Sequence, residues 1–183
     1  MRLQRRETIL DAAGELMQSR GWGKTKVADV ASLAGVSRTT LYSEFGTREI
    51  LAQEALLRET RRLLLPFEAG FSAHPEDAMV ALESAFDLFV LGVIESPLAR
   101  ALLLDDNNEE ILALITIHGA PVLEVVRTSL AGYICSTWPQ ADPGGADLLA
   151  ECLGRVAISV ATLPGRDPYL SGSRVAALLG PFA

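Results

Sequence analysis

The sequence predicts an all-α protein in which a small N-terminal three-helix unit is joined by a long fourth helix to a larger helical bundle. Three observations lead there. Apolar residues recur every three to four positions through most of the chain, as one face of an α-helix requires. No run alternates with period two long enough to make a convincing strand. The periodic segments are punctuated by Gly and Pro, which stop helices. With 183 residues the chain can bury a real core, as one domain with a headpiece or as two small domains.

The elements follow in order. Leu3, Ile9, Ala12, Ala13, Leu16 and Met17 share one face of a first helix that stops at Gly21. Thr25 is a candidate N-cap for a short second helix carrying Val27, Val30, Ala31 and Ala34, with Asp29 near its positive end, and Gly35 closes it. Ser37 caps a third helix, Arg38 to Glu44. Gly46-Thr47 opens a fourth that carries Leu51, Ala55 and Leu63 and is expected to end at Pro66. These signals divide the chain into 1–46, a connecting helix 47–65, and 66–183.

Beyond Pro66 the helical segments become strongly apolar. Pro75 to about Glu95 places Ala78, Leu82, Ala85, Phe86, Phe89, Val90 and Val93 on one broad face. A short helix is expected from Pro97 to Leu104, then a loop or a new helix start at Asp105-Asp106-Asn107-Asn108. Glu109 to His118 and Val122 to Thr137 read as two helices with a bend at Gly119–Pro121. Asp147 to Leu163 reads as another, and Ser171 to Leu179 as a short last one.

Composition narrows the class. Apolar residues make up 49% and mean hydropathy is +0.26, yet the longest uncharged stretch, Thr128 to Ala141, contains Gly132 and Pro139. It falls short of the roughly 20 residues a spanning helix needs, so no membrane partner is expected. The N-terminus runs directly into a charged amphipathic pattern, which predicts a cytoplasmic location. Cys135 and Cys152 lack metal or disulfide spacing and are expected to be buried thiols. The net charge of −7 is unevenly spread: residues 1–65 hold 11 Lys/Arg against 8 Asp/Glu, and the remainder 5 against 15. A locally basic N-terminal third on an acidic chain suits a nucleic-acid-binding headpiece better than a binder that spreads basic charge everywhere.

The informative stretch is Thr25 to Leu51, TKVADVASLAGVSRTTLYSEFGTREIL. Two short helices meeting at a Gly-containing turn form a helix-turn-helix, in which the first helix braces and the second enters the major groove. Ala31 and Ala34 allow close helix approach, Gly35 permits a left-handed turn, and Val36 plugs the helix pair. Leu41 and Phe45 point inward. Ser37, Arg38, Thr39, Thr40, Tyr42 and Ser43 are left outward, polar and free of acids.

This segment resembles the DNA-binding headpiece of the TetR family of transcriptional regulators. The resemblance rests on Thr25, Val30, Ala31, Ala34 to Ser37, Leu41, Tyr42, Phe45, Arg48 and Leu51. It departs at Val30, where Ile is commoner, at Arg48, where Lys is frequent, and at Arg38-Thr39-Thr40, where a small residue often holds the middle place. The resemblance implies a helix-turn-helix headpiece with a helical-bundle regulatory and dimerisation domain, acting as a repressor on a palindromic operator in double-stranded DNA. It implies phosphate contacts from Thr25, Lys26, Tyr42 and Arg48, with Lys24 and the helix-capping Ser37 beside them. It also implies base-edge contacts from Arg38, Thr39 and Thr40, for which Arg and Thr are chemically suited.

The same resemblance implies a homodimer and a small-molecule effector. Residues 147–163, DLLAECLGRVAISVATL, are apolar or small on nearly every side, so that helix needs covering on two faces. With 122–137 it is the expected dimer surface, and Gly154, Ala157 and Ala161 would let a helix come close. Phe67, Phe71, Phe86, Phe89, Leu102, Leu103 and Ile115 are candidate lining for an apolar pocket, with Arg100 and His118 to orient a polar end. Drug, fatty acyl chain and aromatic metabolite all fit. An enzyme is disfavoured: the chain has two histidines, His74 and His118, no metal-ligand spacing, no Gly-rich phosphate loop and no nucleophile elbow. No cofactor or metal is expected, and Glu109-Glu110 reads as a pair of solvated helix-start charges.

Overall fold

Gly21 ends the first helix as its position predicts, adopting φ +79° and donating its N–H to the Met17 carbonyl at 3.0 Å. The computed structural model describes residues 2–96, 99, 109–162 and 171–179, and these are helical with short connections. Helix α1 is Arg2–Arg20, α2 Val27–Leu33, α3 Arg38–Phe45 and α4 Arg48–Ala73. They are followed by α5 Ala78–Glu95, α6 Glu109–Ile115, α7 Ala120–Thr137, α8 Pro143–Thr162 and α9 Ser171–Leu179. No single helix among the described residues is long and apolar enough to cross a membrane. The short helix expected at Pro97–Leu104 lies outside the described residues, apart from Ala99.

The chain forms two compact units that are not contiguous blocks. The first holds residues up to Glu59 together with Ser96–Gly119, and the second holds Thr60–Glu95 and the residues from Ala120. The division falls inside α4 rather than at either end of the expected 47–65 connector. In the first unit Ile9, Ala13, Val30, Leu41, Leu51 and Ala52 are fully buried. The segment Ser96–Gly119 is tied to this unit partly through Ser96, whose hydroxyl donates to the Glu59 carboxylate at 2.8 Å.

The largest departures from the expected helix limits are in α4 and α8; in addition α5 starts at Ala78 and not Pro75, α6 ends at Ile115 and not His118, and α7 starts at Ala120 and not Val122. Helix α4 passes through Pro66 and continues to Ala73. An interior proline costs about 3 kcal/mol through its missing N–H and its ring. Phe67 and Phe71, 0% and 2% exposed just beyond it, regain roughly 1.5–3 kcal/mol each by burial, so continuing the helix wins. Helix α8 starts four residues before Asp147, with Pro143 in its first turn and Asp142 as cap, its carboxylate accepting from the Gly145 N–H at 2.7 Å. Asp77 caps α5 in the same way, accepting from the Met79 and Val80 N–H groups at 3.0 and 3.1 Å.

The second unit is built on two close helix pairs. Helices α7 and α8 pack through Val122, Val126, Leu130 and Ile134 against Ala150, Leu153 and Ala157. Gly154 faces α7, not a free surface: a Cβ there would lie 2.8 Å from Val126 Cγ1. On the other side α9 docks on α5, where Asp87 Oδ1 accepts from the Gly172 N–H at 3.1 Å. Cys135 and Cys152 are free and half-buried, where full burial was expected.

Candidate nucleic-acid interface

Helices α2 and α3 are joined through Ala34–Ser37, and the turn works because Gly35 sits at φ +67°. An L side chain is strained there, and glycine is not. The Val36 N–H donates to the Ala31 carbonyl at 2.9 Å, closing the turn over the buried Val30 and Ala31. Leu41 and Phe45 of α3 are 0% and 3% exposed, so one face of this helix is committed to the core. Ser37 caps α3, its Oγ accepting from the Thr40 N–H at 3.0 Å, and the two hydroxyls lie 2.8 Å apart. Both are therefore engaged in starting the helix, and Thr40 is half-buried.

The opposite face of α3 presents Arg38, Thr39, Tyr42 and Ser43, all exposed. Its one acid, Glu44, is turned away: that side chain is 3% exposed and its carboxylate accepts from Arg5 Nη2 at 2.6 Å. Arg6 assists by donating to the Glu44 carbonyl at 2.7 Å while lying 4.3 Å over the Phe45 ring. Asp29 of α2 is neutralised in turn by Arg20 at 2.6 Å and by the Lys26 backbone N–H at 3.0 Å. Lys24, Lys26 and Arg38 are exposed and form no ion pair with any described residue. The acids of α2 and α3 are thus already paired, while these three cations are not.

Thr25 departs from its expected place. It is 2% exposed, and its hydroxyl donates to the Gly21 carbonyl at 2.8 Å. Lys26, not Thr25, is the N-cap residue of α2. The hydroxyl is spent on bracing the α1–α2 connection and is not presented outward. Thr25→Val is accordingly expected to lower stability by about 1 kcal/mol, the worth of one buried hydrogen bond, in a denaturant melt. Affinity for DNA should stay as in the parent; an equal several-fold loss on operator and random duplexes at an unchanged salt slope would mean the hydroxyl does reach a phosphate.

Arg48 is also engaged. At the first position of α4, its Nη1 donates to both Glu110 carboxylate oxygens at 2.9 and 2.6 Å, and its Nη2 to the Trp22 carbonyl at 2.7 Å. Its Nε reaches the Thr25 carbonyl at 3.4 Å, and the guanidinium lies 4.6 Å over the buried Trp22 ring. Glu110 is thus no solvated helix-start charge. Sequence reasoning missed both Trp22 and Glu110, and no local signal marks a pair 62 positions apart. Lys26, Arg38, Tyr42, Arg48 and Glu110 line one open crevice of about 540 Å³. At the start of α4, Thr47 Oγ1 accepts from the Ile50 N–H at 3.2 Å. Hydrogen bonds at the Glu49 backbone and then from Thr47 hold the Glu49 carboxyl below its ordinary value.

The expected effector residues are split between the units. Phe67 lies 5.8 Å from Phe86 and 5.2 Å from Phe89, and Phe86 lies 5.8 Å from Phe89, all buried in the second unit. Phe71 joins them at 6.1 Å from Phe67 and leads to Trp138, 5.6 Å away, whose Nε1 donates to the Pro75 carbonyl. These rings are packed against one another. Ile115, half-buried, and His118, exposed, belong to the first unit. Arg100, Leu102 and Leu103 lie outside the described residues.

Comparison with known proteins covers both units. Residues 9–55 match the family described as "Bacterial regulatory proteins, tetR family", and residues 77–181 match "Bacterial Tetracyclin repressor, C-terminal domain". The HTH-type transcriptional regulator AlkX of Mycobacterium tuberculosis is 32% identical over 97% of this chain and 84% of its own length. The crystal structure of the TetR family repressor AlkX from a Dietzia strain, implicated in biodegradation of n-alkanes, superposes with a TM-score of 0.85 at 32% identity. It covers 97% of this chain and 94% of its own. The Rhodococcus erythropolis repressor QsdR, at 19% identity and a TM-score of 0.70 over 96% of this chain and 94% of its own, shares the fold.

Proposed function

Because the chain belongs to the TetR family of bacterial transcriptional regulators, we propose that it is a repressor that binds a palindromic operator as a homodimer and is released by a small, largely apolar effector. The observation that carries this reading is the outward face of α3. Arg38, Thr39, Tyr42 and Ser43 are exposed together, Glu44 is folded away onto Arg5, and Lys24 and Lys26 stand beside them without an acidic partner among the described residues. Folding alone does not require an acid-free recognition face. In this reading Arg38 and Thr39 read base edges while Lys24, Lys26 and Tyr42 hold phosphates. Ser37 and Thr40 set the start of the reading helix.

Dimerisation through α7 and α8 is supported by what remains open after those two helices pack on each other. Leu148 is 66% exposed, and Tyr133, Val156, Ile158 and Val160 are only half-buried. Two headpieces related by a two-fold axis then match two half-sites of an inverted repeat. The apolar interior of the second unit supports an apolar effector. The Dietzia relative's link to n-alkane biodegradation favours an aliphatic one.

The test is a mobility-shift titration on the promoters of the chain's own and neighbouring genes, with light scattering to count protomers. Binding of one dimer to an inverted repeat, and its loss on adding long-chain alkanes, alkanols or fatty acids, is the expected result. Absence of binding to any of that DNA at low salt would remove the reading.

A further inference from the structure

We propose that Glu110 is a built-in phosphate mimic, holding the Arg48 guanidinium in an autoinhibitory contact for which the operator backbone must compete. The proposal rests on the DNA-binding reading above and concerns regulation of that same surface. Its geometric basis is the approach of both Glu110 carboxylate oxygens to Arg48 Nη1, at 2.9 and 2.6 Å, which puts anionic oxygens where a phosphate oxygen would accept from the same N–H groups. The rest of that guanidinium is directed at the Trp22 and Thr25 carbonyls, which fixes the cation in the same crevice as Lys26, Arg38 and Tyr42.

Charge gives a second argument. A cation at the first position of α4 stands at the end where the helix's own partial charge is positive, so the helix does not account for Arg48. Around this crevice Lys26 and Arg38 have no acidic partner among the described residues, whereas Arg48 is neutralised. The neutralising acid is not part of residues 1–46. It arrives on α6, 62 positions further along the chain. The number of cations facing the DNA therefore depends on where that helix rests. With side chains 27% and 39% exposed, the pair is accessible enough for a phosphate to exchange into it.

The test measures the full chain against an operator duplex and a random-sequence duplex across a salt series. Glu110→Gln is expected to tighten binding about fivefold, the scale of a partly exposed ion pair. The gain should be equal on both duplexes, because phosphates carry no sequence, and the salt slope should steepen by about one. Glu109→Gln, an equal charge change on the exposed neighbour, should leave binding near the parent's. The Glu110→Gln gain should vanish in an Arg48→Ala background. The proposal is overturned if Glu110→Gln binds equally or more weakly with an unchanged melting temperature, if Glu109→Gln gains as much, or if the gain survives without Arg48. A parent protein that binds neither duplex would instead overturn the DNA-binding reading, and this proposal with it.

Discussion

Replacing Arg38 with Ala is expected to weaken operator binding by roughly 10- to 100-fold while changing affinity for a random duplex only a few-fold. A good bidentate Arg–guanine pair carries about 1–3 kcal/mol of discrimination, and each 1.4 kcal/mol is tenfold. Arg38 is placed for that role by the core. Leu41 and Phe45 bury the opposite face of α3, and the Ser37 cap sets the helix start one residue before Arg38. The side chain is exposed and forms no ion pair with a described residue, so binding need not first break a competing contact. Lys26→Ala is the informative companion: it should weaken both duplexes alike and reduce the salt slope by about one. Equal losses on the two duplexes for Arg38→Ala, in anisotropy titrations at matched salt, would move Arg38 from the bases to the backbone.

The largest stability effect is expected at Gly70, where α4 meets α5. A Cβ built on Gly70 would lie 2.3 Å from Ala85 Cα and 2.5 Å from Ala85 N. Those are backbone atoms of a packed helix and cannot turn aside as a side chain could. Gly→Ala inside a helix gains roughly 0.5–1 kcal/mol of propensity, but forcing the pair apart costs about 1–3 kcal/mol or more and disturbs the neighbouring Phe67–Phe86 contact. Gly70→Ala should therefore lose about 2 kcal/mol and some 4–8 °C of melting temperature. Gly92 on α5 is the control, because a Cβ there would stand 3.6 Å from the Pro66 ring, an ordinary contact. Gly92→Ala should be neutral or stabilising by a few tenths of a kcal/mol. Equal effects at the two positions in thermal melts would show that propensity, not the close approach of α4 and α5, governs both.

Much of the fold was legible because the signals are local. Gly21, Gly35 and Gly46 adopt positive φ at the three ends where glycine was read as a stop or an opening. The Ser37 cap, the inward Leu41 and Phe45 and the limits of α9 also follow from neighbours within a turn or two. The misread limits have local causes outweighed by distant ones. Pro66 signals a stop, but burial of Phe67 and Phe71 carries α4 onward. The apolar residues of 147–163 mark a helix, yet its start at Pro143 depends on the Asp142 cap before the apolar pattern begins.

For the candidate interface the division is similar. The residue types, their spacing and the family could be read from the chain alone, since a recognition helix with an acid-free face is a pattern in consecutive residues. Which polar groups are free could not. The Thr25 hydroxyl turns inward to Gly21, Glu44 is claimed by Arg5 from 39 positions away, and Arg48 is claimed by Glu110 from 62. A local pattern decides where a helix starts, stops and shows its apolar side. The partner of a charged or hydroxyl group is decided by whatever tertiary packing brings within 3 Å of it. The sequence by itself thus determined that this is an all-helical regulator with a helix-turn-helix headpiece. Only the folded chain decided that Arg38 and Lys26 are exposed and unpaired with any acid among the described residues, while the Thr25 hydroxyl and the Arg48 guanidinium are held by Gly21 and Glu110.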